Sequence, residues 1–553
     1  MFVTNIIKEF YDCISGKRVL VLVHSDLDAI CSGKILQALF RADHILYTLC
    51  PVLTLSDLLT AVKSHKEQIS SIILINCGGT LDLVEFLELP PHIKVFLADT
   101  HRPLHVCNIY SDDQIRILGQ LDDDEEVPAF GDVFRDDETS ESEEEDEDGV
   151  SRISESRLEK QRERRLWEQK RNKLLFDYSQ FSYFAGSTAT LMFELAWKLS
   201  KDTSDLLWLA IVSLSGEQLC SIREQHKLAL CAADLNTHVA RLHHTNHTDT
   251  TEPAADTITF QKDVQLSLYR HWSLVESMRH SPLTATSLKL WTHKGEKKMF
   301  ELLAELGLPL TECRQLFCGM DVKLRSELPT LLEGKADKYG LGGLVTPSFS
   351  RSHVFHSRCS ASDFAHAALA LLEPPSTDGL SMSHAFLDAS DCLNGSTVFA
   401  KGIASARKQL EAVYRQMQTF LDMNQVISAG PFLYATVLQG SPLAAFMSGP
   451  HVLGALGRFT LGAHVSASRN KKARSLPLVL TTPDSSQPQD WCLVCGIPPL
   501  ADTSHRNFFG KAFEQAVSKT QSRAQLEFFD SHVIRLHVED RSKFFDALIS
   551  LLS

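Results

Sequence analysis

The sequence contains no apolar run that approaches the roughly 20 residues needed to cross a membrane. Its first residues, MFVTNIIKEF, lack the pattern of a secretory signal. The 13 cysteines are scattered without the spacing of a disulfide framework. Cys492 and Cys495 form a single C-x-x-C pair inside an apolar, strand-like run, which predicts buried thiols rather than a zinc site. We therefore expect an intracellular protein that is neither membrane-bound nor secreted.

The sequence also lacks a general excess of basic residues, because it has 55 Lys and Arg and 69 Asp and Glu, for a net charge of -14. Residues 122–148 hold 16 acidic residues against Arg135 alone, so this segment carries -15 and the rest of the chain +1. Like charges repel and little apolar surface is available there, which predicts a disordered acidic loop. Ser140 and Ser142 each precede a Glu by three residues, a pattern of acidophilic phosphorylation sites that also arises by chance in acidic segments.

Residues 152–173 reverse the sign of the charge and contain neither Gly nor Pro, which predicts a helix. Its basic side chains suit a nuclear-import signal or a nucleic-acid contact. The interleaved Glu residues equally suit a solvated helix surface. The sequence leaves these alternatives open.

Strand and helix signals alternate through the first 118 residues. Apolar runs predict buried strands at residues 19–23, 45–52, 69–75 and 94–98, and helical spacing predicts helices at 30–40 and 55–62. Such alternation is typical of an α/β domain with a mostly parallel sheet.

Polar residues follow three of these strands, and ligands of α/β sheets collect at the carboxyl ends of strands. The polar positions are Asp26, Asp28, Asn76, Asp99, Thr100 and His101. The spacing of Asp26 and Asp28 suits the ligands of a divalent cation. Alternatively, Asp26 caps the helix that begins near Asp28.

The segments SDLDA, NCGG and DTHRP resemble the first three motifs of the DHH phosphoesterase superfamily, which includes RecJ-type exonucleases and pyrophosphatases. The resemblance implies that Asp26, Asp28, Asp99 and His101 match metal ligands of the hydrolytic members. Asn76, however, stands where a metal-bridging Asp is expected, and Thr100 replaces the first His. Three carboxylates neutralise two divalent cations incompletely, so we expect no working two-metal site, although one weak metal site is conceivable.

Longer segments, including ILINCGG, FDYSQFSYFAGSTATLMFELAWKLSKD and EDRSKFFDALISLLS, resemble a eukaryotic RecJ-like family of replication factors over essentially the whole chain. The resemblance implies a non-catalytic, nuclear subunit of the CMG replicative helicase. The implied partners are the minichromosome maintenance ring, the GINS complex and fork factors including DNA polymerases. No cofactor and no membrane contact are expected. Because the chain outside the acidic loop is nearly neutral, we expect single-stranded DNA to bind weakly or only within the assembly.

Helical spacing dominates residues 223–335, where Val264, Leu268, Trp272 and Val275 fall on one predicted helical face. The resemblance implies an all-helical insertion for partner contact there. The last third mixes strands and helices, as expected for a DHH-associated α/β domain. Residues 462–468 resemble a phosphate-binding loop of active relatives but lack two of its glycines, so we expect no retained site. The basic turn that follows could contact phosphate or DNA, or simply be solvated, and comprises Arg469, Lys471, Lys472 and Arg474.

These signals predict five segments. They are a DHH-type domain (1–121), an acidic loop with a basic helix (122–173), helices completing the DHH domain (174–222), the helical insertion (223–335) and the DHH-associated domain (336–553).

Three functions remain to be compared: a structural subunit with a degenerate site, an active metal-dependent single-strand exonuclease or phosphoesterase, and a free-standing single-stranded DNA binder. Asn76 and Thr100 favour the first, because neutral replacements in a two-metal site should cost several kcal/mol of transition-state stabilisation.

Overall fold

A computed structural model describes residues 1–111, 113–122, 125–135, 155–249, 256–353, 358–395, 397–484, 490–502 and 504–553. Side chains are not described for residues 155–161, 244–249, 256, 353 and 471. Ser140, Ser142 and most of the acidic segment lie outside the described residues, as does the side chain of Lys471.

The first sheet has five strands, all parallel. Their order across the sheet is Leu46–Val52, Arg18–His24, Ser71–Ile75, Lys94–Ala98 and Ile115–Ile117. The four predicted strands and the parallel α/β class are confirmed.

Both faces of this sheet are covered, because successive side chains of a strand point to opposite sides. In strand Arg18–His24, Val21 and Val23 join one hydrophobic core and Leu20 and Leu22 join another. The first core includes side chains from helices Leu27–Ala42, Thr188–Lys198 and Ser204–Cys220. The second includes side chains from helices Leu55–His65 and Leu83–Leu87.

The first core also extends past the predicted boundary at residue 336. Helices Ala361–Leu372 and Met382–Cys392 contribute side chains to it. The division into five segments stays a prediction.

The prediction of an all-helical insertion at 223–335 is wrong in one element. Asp256–Val264 is a nine-residue strand that pairs antiparallel with Val345–His353, which in turn pairs with Cys359–Ser360. Val264 therefore ends a strand, and the helix of the predicted apolar face begins only at Leu274. The cross-strand hydrogen bonds from this remote partner override the local helical spacing.

The second large sheet, in the last third of the chain, has six strands of mixed direction. Their order is Ile427–Ser428, Leu433–Thr436, Leu478–Pro483, Trp491–Ile497, Val533–His537 and Ala524–Gln525. Cys492 and Cys495 are buried free thiols in one of these strands, as predicted.

The other helices of eight or more residues are Glu155–Ser179, Gln225–Asp249, His293–Glu305, Val322–Ala336, Thr397–Asp422, Pro450–Ala467, Phe509–Thr520 and Arg541–Leu552. Glu155–Ser179 confirms the predicted basic helix. Among the described residues, no helix is both long enough and apolar enough to span a membrane.

Two backbone contacts bring the last third of the chain to the carboxyl edge of the first sheet. The Leu55 N–H donates to the Glu527 carbonyl at 2.9 Å, and Ser182 and Asn507 form an isolated β-bridge. The segment around Asp530 consequently lies over the ends of the parallel strands.

Candidate functional site

Asp26 follows strand Arg18–His24 and is the N-cap of helix Leu27–Ala42. Its Oδ1 accepts from the Ala29 N–H at 2.7 Å, which satisfies one of the free N–H groups at the helix start. Its Oδ2 lies 2.6 Å from Nδ1 of His24. Asp26 was predicted either to bind a divalent cation or to cap the helix, and the structure supplies direct contacts for the helix cap.

The Asn76 side chain lies between the two carboxylates of the SDLDA turn. Its Nδ2 donates to Asp28 at 2.9 Å and to both oxygens of Asp26 at 3.3 Å. Its Oδ1 accepts from the Thr100 N–H at 3.2 Å, a contact that determines which end of the amide faces the carboxylates. A single neutral amide thus links the ends of three neighbouring strands.

Asp28 is the most heavily hydrogen-bonded carboxylate of the centre, with six hydrogen bonds from described residues. Besides Asn76, the donors are the hydroxyls of Ser187, Thr188 and Ser213 and the backbone N–H groups of Thr188 and Ala189. The two backbone donors belong to the first turn of helix Thr188–Lys198, where a negative charge is favoured. Asp28 therefore ties the start of helix Leu27–Ala42 to two helices more than 150 residues away in the chain.

The buried side chains of Asp99 and His101 form an ion cluster with Asp530, whose side chain is 30% exposed. Asp99 accepts from the Gly79 N–H at 2.7 Å and from Nδ1 of His101 at 2.7 Å, and Nε2 of His101 lies 3.4 Å from Asp530. Burial lowers the pKa of His101, but the two carboxylates outweigh burial and raise this pKa well above its ordinary value. Conversely, burial raises the pKa of Asp99 and of Asp530, but His101 outweighs it and lowers both. An imidazolium held between two carboxylates is not a free general base.

A cavity opens from this centre towards the last third of the chain. Two acids line it, Glu217, which is buried, and Glu373, which is half-buried. Burial raises the pKa of Glu217 to about 8, although an Arg223 guanidinium nitrogen lies 3.1 Å away. Burial likewise raises the pKa of Glu373 to about 7, although its carboxylate accepts two backbone hydrogen bonds at the start of helix Pro450–Ala467.

The sequence predicts the strand ends but not their partners. The cap by Ser187 was not predicted, although Ser before an apolar helical pattern is an N-cap signal. The contacts of Ser213, Glu217 and Asp530 were not predicted either, because nothing in the local sequence signals a contact with residues more than 150 positions away.

Residues 462–468, which resemble a phosphate-binding loop, are not a loop. All but Ser468 belong to helix Pro450–Ala467, and its other end lines the cavity, with His451, Gly454 and Arg458. The basic turn after them is a short 3-10 helix, and the side chains of Arg469, Lys472 and Arg474 are exposed.

A pair of divalent cations does not fit this centre. The Asn76 N–H groups point at Asp26 and Asp28, where a bridging cation would require an anionic ligand. Both oxygens of Asp28 and both oxygens of Asp99 already accept hydrogen bonds from protein donors. Among the described residues, no three metal-ligand atoms of this centre lie within 4.8 Å of one another.

The fold and the centre together define the class of protein. A parallel sheet whose strand ends carry an Asp-x-Asp segment, Asn76 and an Asp-Thr-His segment has the DHH-type α/β fold.

The chain is, more specifically, a member of the CDC45 family, whose model matches residues 19–156 and 131–551. It is 42% identical over 568 residues to the mouse and human proteins named cell division control protein 45 homolog, with 100% of each chain covered. The crystal structure of CDC45 from Entamoeba histolytica superposes with a TM-score of 0.72 at 21% identity, covering 100% of both chains. The solved structure therefore shares this fold.

Proposed function

We propose that this chain, a DNA replication factor by its family, works without catalysis as an architectural subunit of the CMG replicative helicase. Its proposed partners are the minichromosome maintenance ring, the GINS complex and fork factors including DNA polymerases, in the nucleus. The observation that carries the non-catalytic assignment is the Asn76 amide, which donates to both Asp26 and Asp28.

The Asn76 contacts support a non-catalytic role on electrostatic grounds. A metal-dependent phosphoesterase needs anionic oxygen ligands that hold two cations and stabilise the charge of the transition state. An amide carries no charge, and its N–H groups repel a cation. The position between the two carboxylates thus suits a hydrogen-bonded link and not a bridged pair of ions.

The long-range contacts of the retained carboxylates support an architectural role. Asp28 joins the start of helix Leu27–Ala42 to two later helices, and Asp99 is linked through His101 to Asp530 near the end of the chain. Each carboxylate thereby stabilises the packing of segments that are remote in sequence. The same residue types that hold metals in hydrolytic relatives here hold the fold together.

Single-stranded DNA is proposed as a weak ligand or as one bound only within the assembly. The exposed side chains of Arg469, Lys472 and Arg474 offer a small basic surface for phosphate contacts. The net charge of -14 opposes tight binding by the free chain. Phosphorylation of Ser140 and Ser142, in the acidic segment, remains part of this proposal.

A nuclease assay tests the non-catalytic assignment. Purified chain is incubated with 5′-labelled single-stranded DNA and Mn²⁺, beside the Asp99→Ala variant as control. We expect no digestion by either protein. Digestion by the wild type that disappears in Asp99→Ala would establish the exonuclease alternative and overturn the proposal.

The Asn76→Asp variant sharpens the assay, since it restores the missing carboxylate. The new charge faces Asp26 and Asp28, which the amide contacts at 2.9 to 3.3 Å, so we expect lower stability without metal and partial recovery with Mn²⁺. Digestion should still be absent.

Gel filtration tests the architectural part of the proposal. When the chain is mixed with purified minichromosome maintenance and GINS proteins, we expect it to coelute with them, and separate elution would contradict the proposal.

A further inference from the structure

We propose that Asp82, His105 and Cys107 form a binding site for one Zn²⁺ ion, separate from the polar centre described above. One ligand atom from each side chain lies within 4.8 Å of the other two. Within the described residues, these are the three His, Cys, Asp or Glu side chains whose ligand atoms all lie this close to one another. The inference does not depend on the proposed function.

The backbone around the three side chains is held in place by Asn108, which is fully buried. Its Nδ2 donates to the Leu81 carbonyl at 2.6 Å, and its Oδ1 accepts from the Leu83 N–H at 3.2 Å. These contacts bracket Asp82 on one segment, while Asn108 itself adjoins Cys107 on the other. These hydrogen bonds therefore hold the two ligand-bearing segments in contact before any metal binds. The two segments follow neighbouring strands of the first sheet.

The Asp82 and His105 side chains each have an atom that can bind a metal ion. Asp82 caps helix Leu83–Leu87 through Oδ1 alone, which accepts from the N–H groups of Val84 at 3.1 Å and Glu85 at 3.2 Å. The Nδ1 atom of His105 is buried and has no hydrogen-bond partner within the described parts of the chain. A buried polar atom without a partner is costly, and a metal bond would satisfy it.

The types of ligand favour zinc. Thiolate and imidazole ligands select Zn²⁺ over Mg²⁺ and Ca²⁺, which prefer oxygen. The Cys107 thiolate and the Asp82 carboxylate together neutralise the two positive charges of the ion. Binding displaces the thiol proton to solvent, and water takes the fourth position of a tetrahedral site.

The location indicates a structural role for the ion. The backbone N–H of His105 donates to the Gly79 carbonyl at 2.8 Å, and the backbone N–H of Gly79 donates to the Asp99 carboxylate at 2.7 Å. A zinc ion at the site would therefore stabilise the packing of the two segments that support the Asp99 cluster. Metal binding to the folded state alone raises thermal stability.

Metal titration of the full-length chain tests the site. The chelator-treated protein is titrated with Co²⁺, followed by absorbance, and then with Zn²⁺, which should displace Co²⁺. We expect one equivalent to bind with a thiolate-to-cobalt charge-transfer band. The band should be absent in Cys107→Ser, and Zn²⁺ affinity should fall by more than about 100-fold in Cys107→Ser and His105→Asn, because even the loss of outer-shell partners costs 10-fold to 100-fold.

Matched controls use residues away from the site. Cys318 is exposed and His65 ends helix Leu55–His65, so Cys318→Ser and His65→Asn should bind as the wild type does. If Cys107→Ser does not fold, alkylation of wild-type Cys107, mapped by mass spectrometry, replaces it, and saturating Zn²⁺ should protect this thiol. No charge-transfer band in the wild type, a band unchanged in Cys107→Ser, or alkylation of Cys107 unaffected by Zn²⁺ would each overturn the proposal.

Discussion

Replacing Asp28 by Ala removes the acceptor of six hydrogen bonds in one step. The variant keeps the strand and the helix to which Asp28 belongs, since Ala is a good helix former. What it loses is the link to helices Thr188–Lys198 and Ser204–Cys220. The substitution therefore probes the tertiary network and not local structure.

The expected loss of stability follows from the donors left behind. At about 1 kcal/mol net for each hydrogen bond, six bonds correspond to about 6 kcal/mol. The hydroxyls of Ser187, Thr188 and Ser213 can rotate to other acceptors, but the N–H groups of Thr188 and Ala189 cannot. Each stranded N–H costs about 1 to 3 kcal/mol, so we expect Asp28→Ala to lower the free energy of unfolding by about 2 to 6 kcal/mol.

Urea unfolding followed by tryptophan fluorescence is a suitable assay. Trp208 is fully buried in helix Ser204–Cys220 and reports on the core that Asp28 joins. Asp26→Ala is the matched control, because Asp26 is 30% exposed and chiefly caps its own helix, for an expected cost of about 1 to 2 kcal/mol. The reasoning is refuted if Asp28→Ala unfolds at the wild-type midpoint or costs no more than Asp26→Ala.

Two further predictions concern pH. The pKa of His101 is raised above 6.5, so its contribution to stability is complete below pH 6.5 and is lost as the pH rises through the folded-state value. Asp530→Asn removes one of its carboxylate partners and should move this loss to lower pH; superimposable curves of urea midpoint against pH would contradict it. The pKa of Glu217 is raised from 4.5 to about 8, so this carboxyl makes stability fall as the pH rises from 4.5 to about 8. Glu217→Gln should flatten that part of the same curve, and an unchanged slope would count against the buried carboxyl as its cause.

The candidate site was predictable only in part. The positions of Asp26, Asn76 and Asp99 at the strand ends followed from the apolar runs before them, because a parallel sheet brings its carboxyl ends to one edge. The helix cap by Asp26 was one of the two alternatives that local spacing allowed. The partners of Asp28 and His101 were not predictable, since Ser213 and Asp530 are 185 and more than 400 residues away from them.

The amino-acid sequence by itself determined four of the five strands of the first sheet, their parallel direction and the neutral amide at position 76. It did so because buried strands, amphipathic helices and caps are properties of a few consecutive side chains. The tertiary structure alone decided that Asp256–Val264 is a strand, since its hydrogen-bond partner begins at Val345. It likewise decided which donors surround Asp28 and that Asp82, His105 and Cys107 converge, because such contacts depend on how remote segments pack and not on the residues beside them.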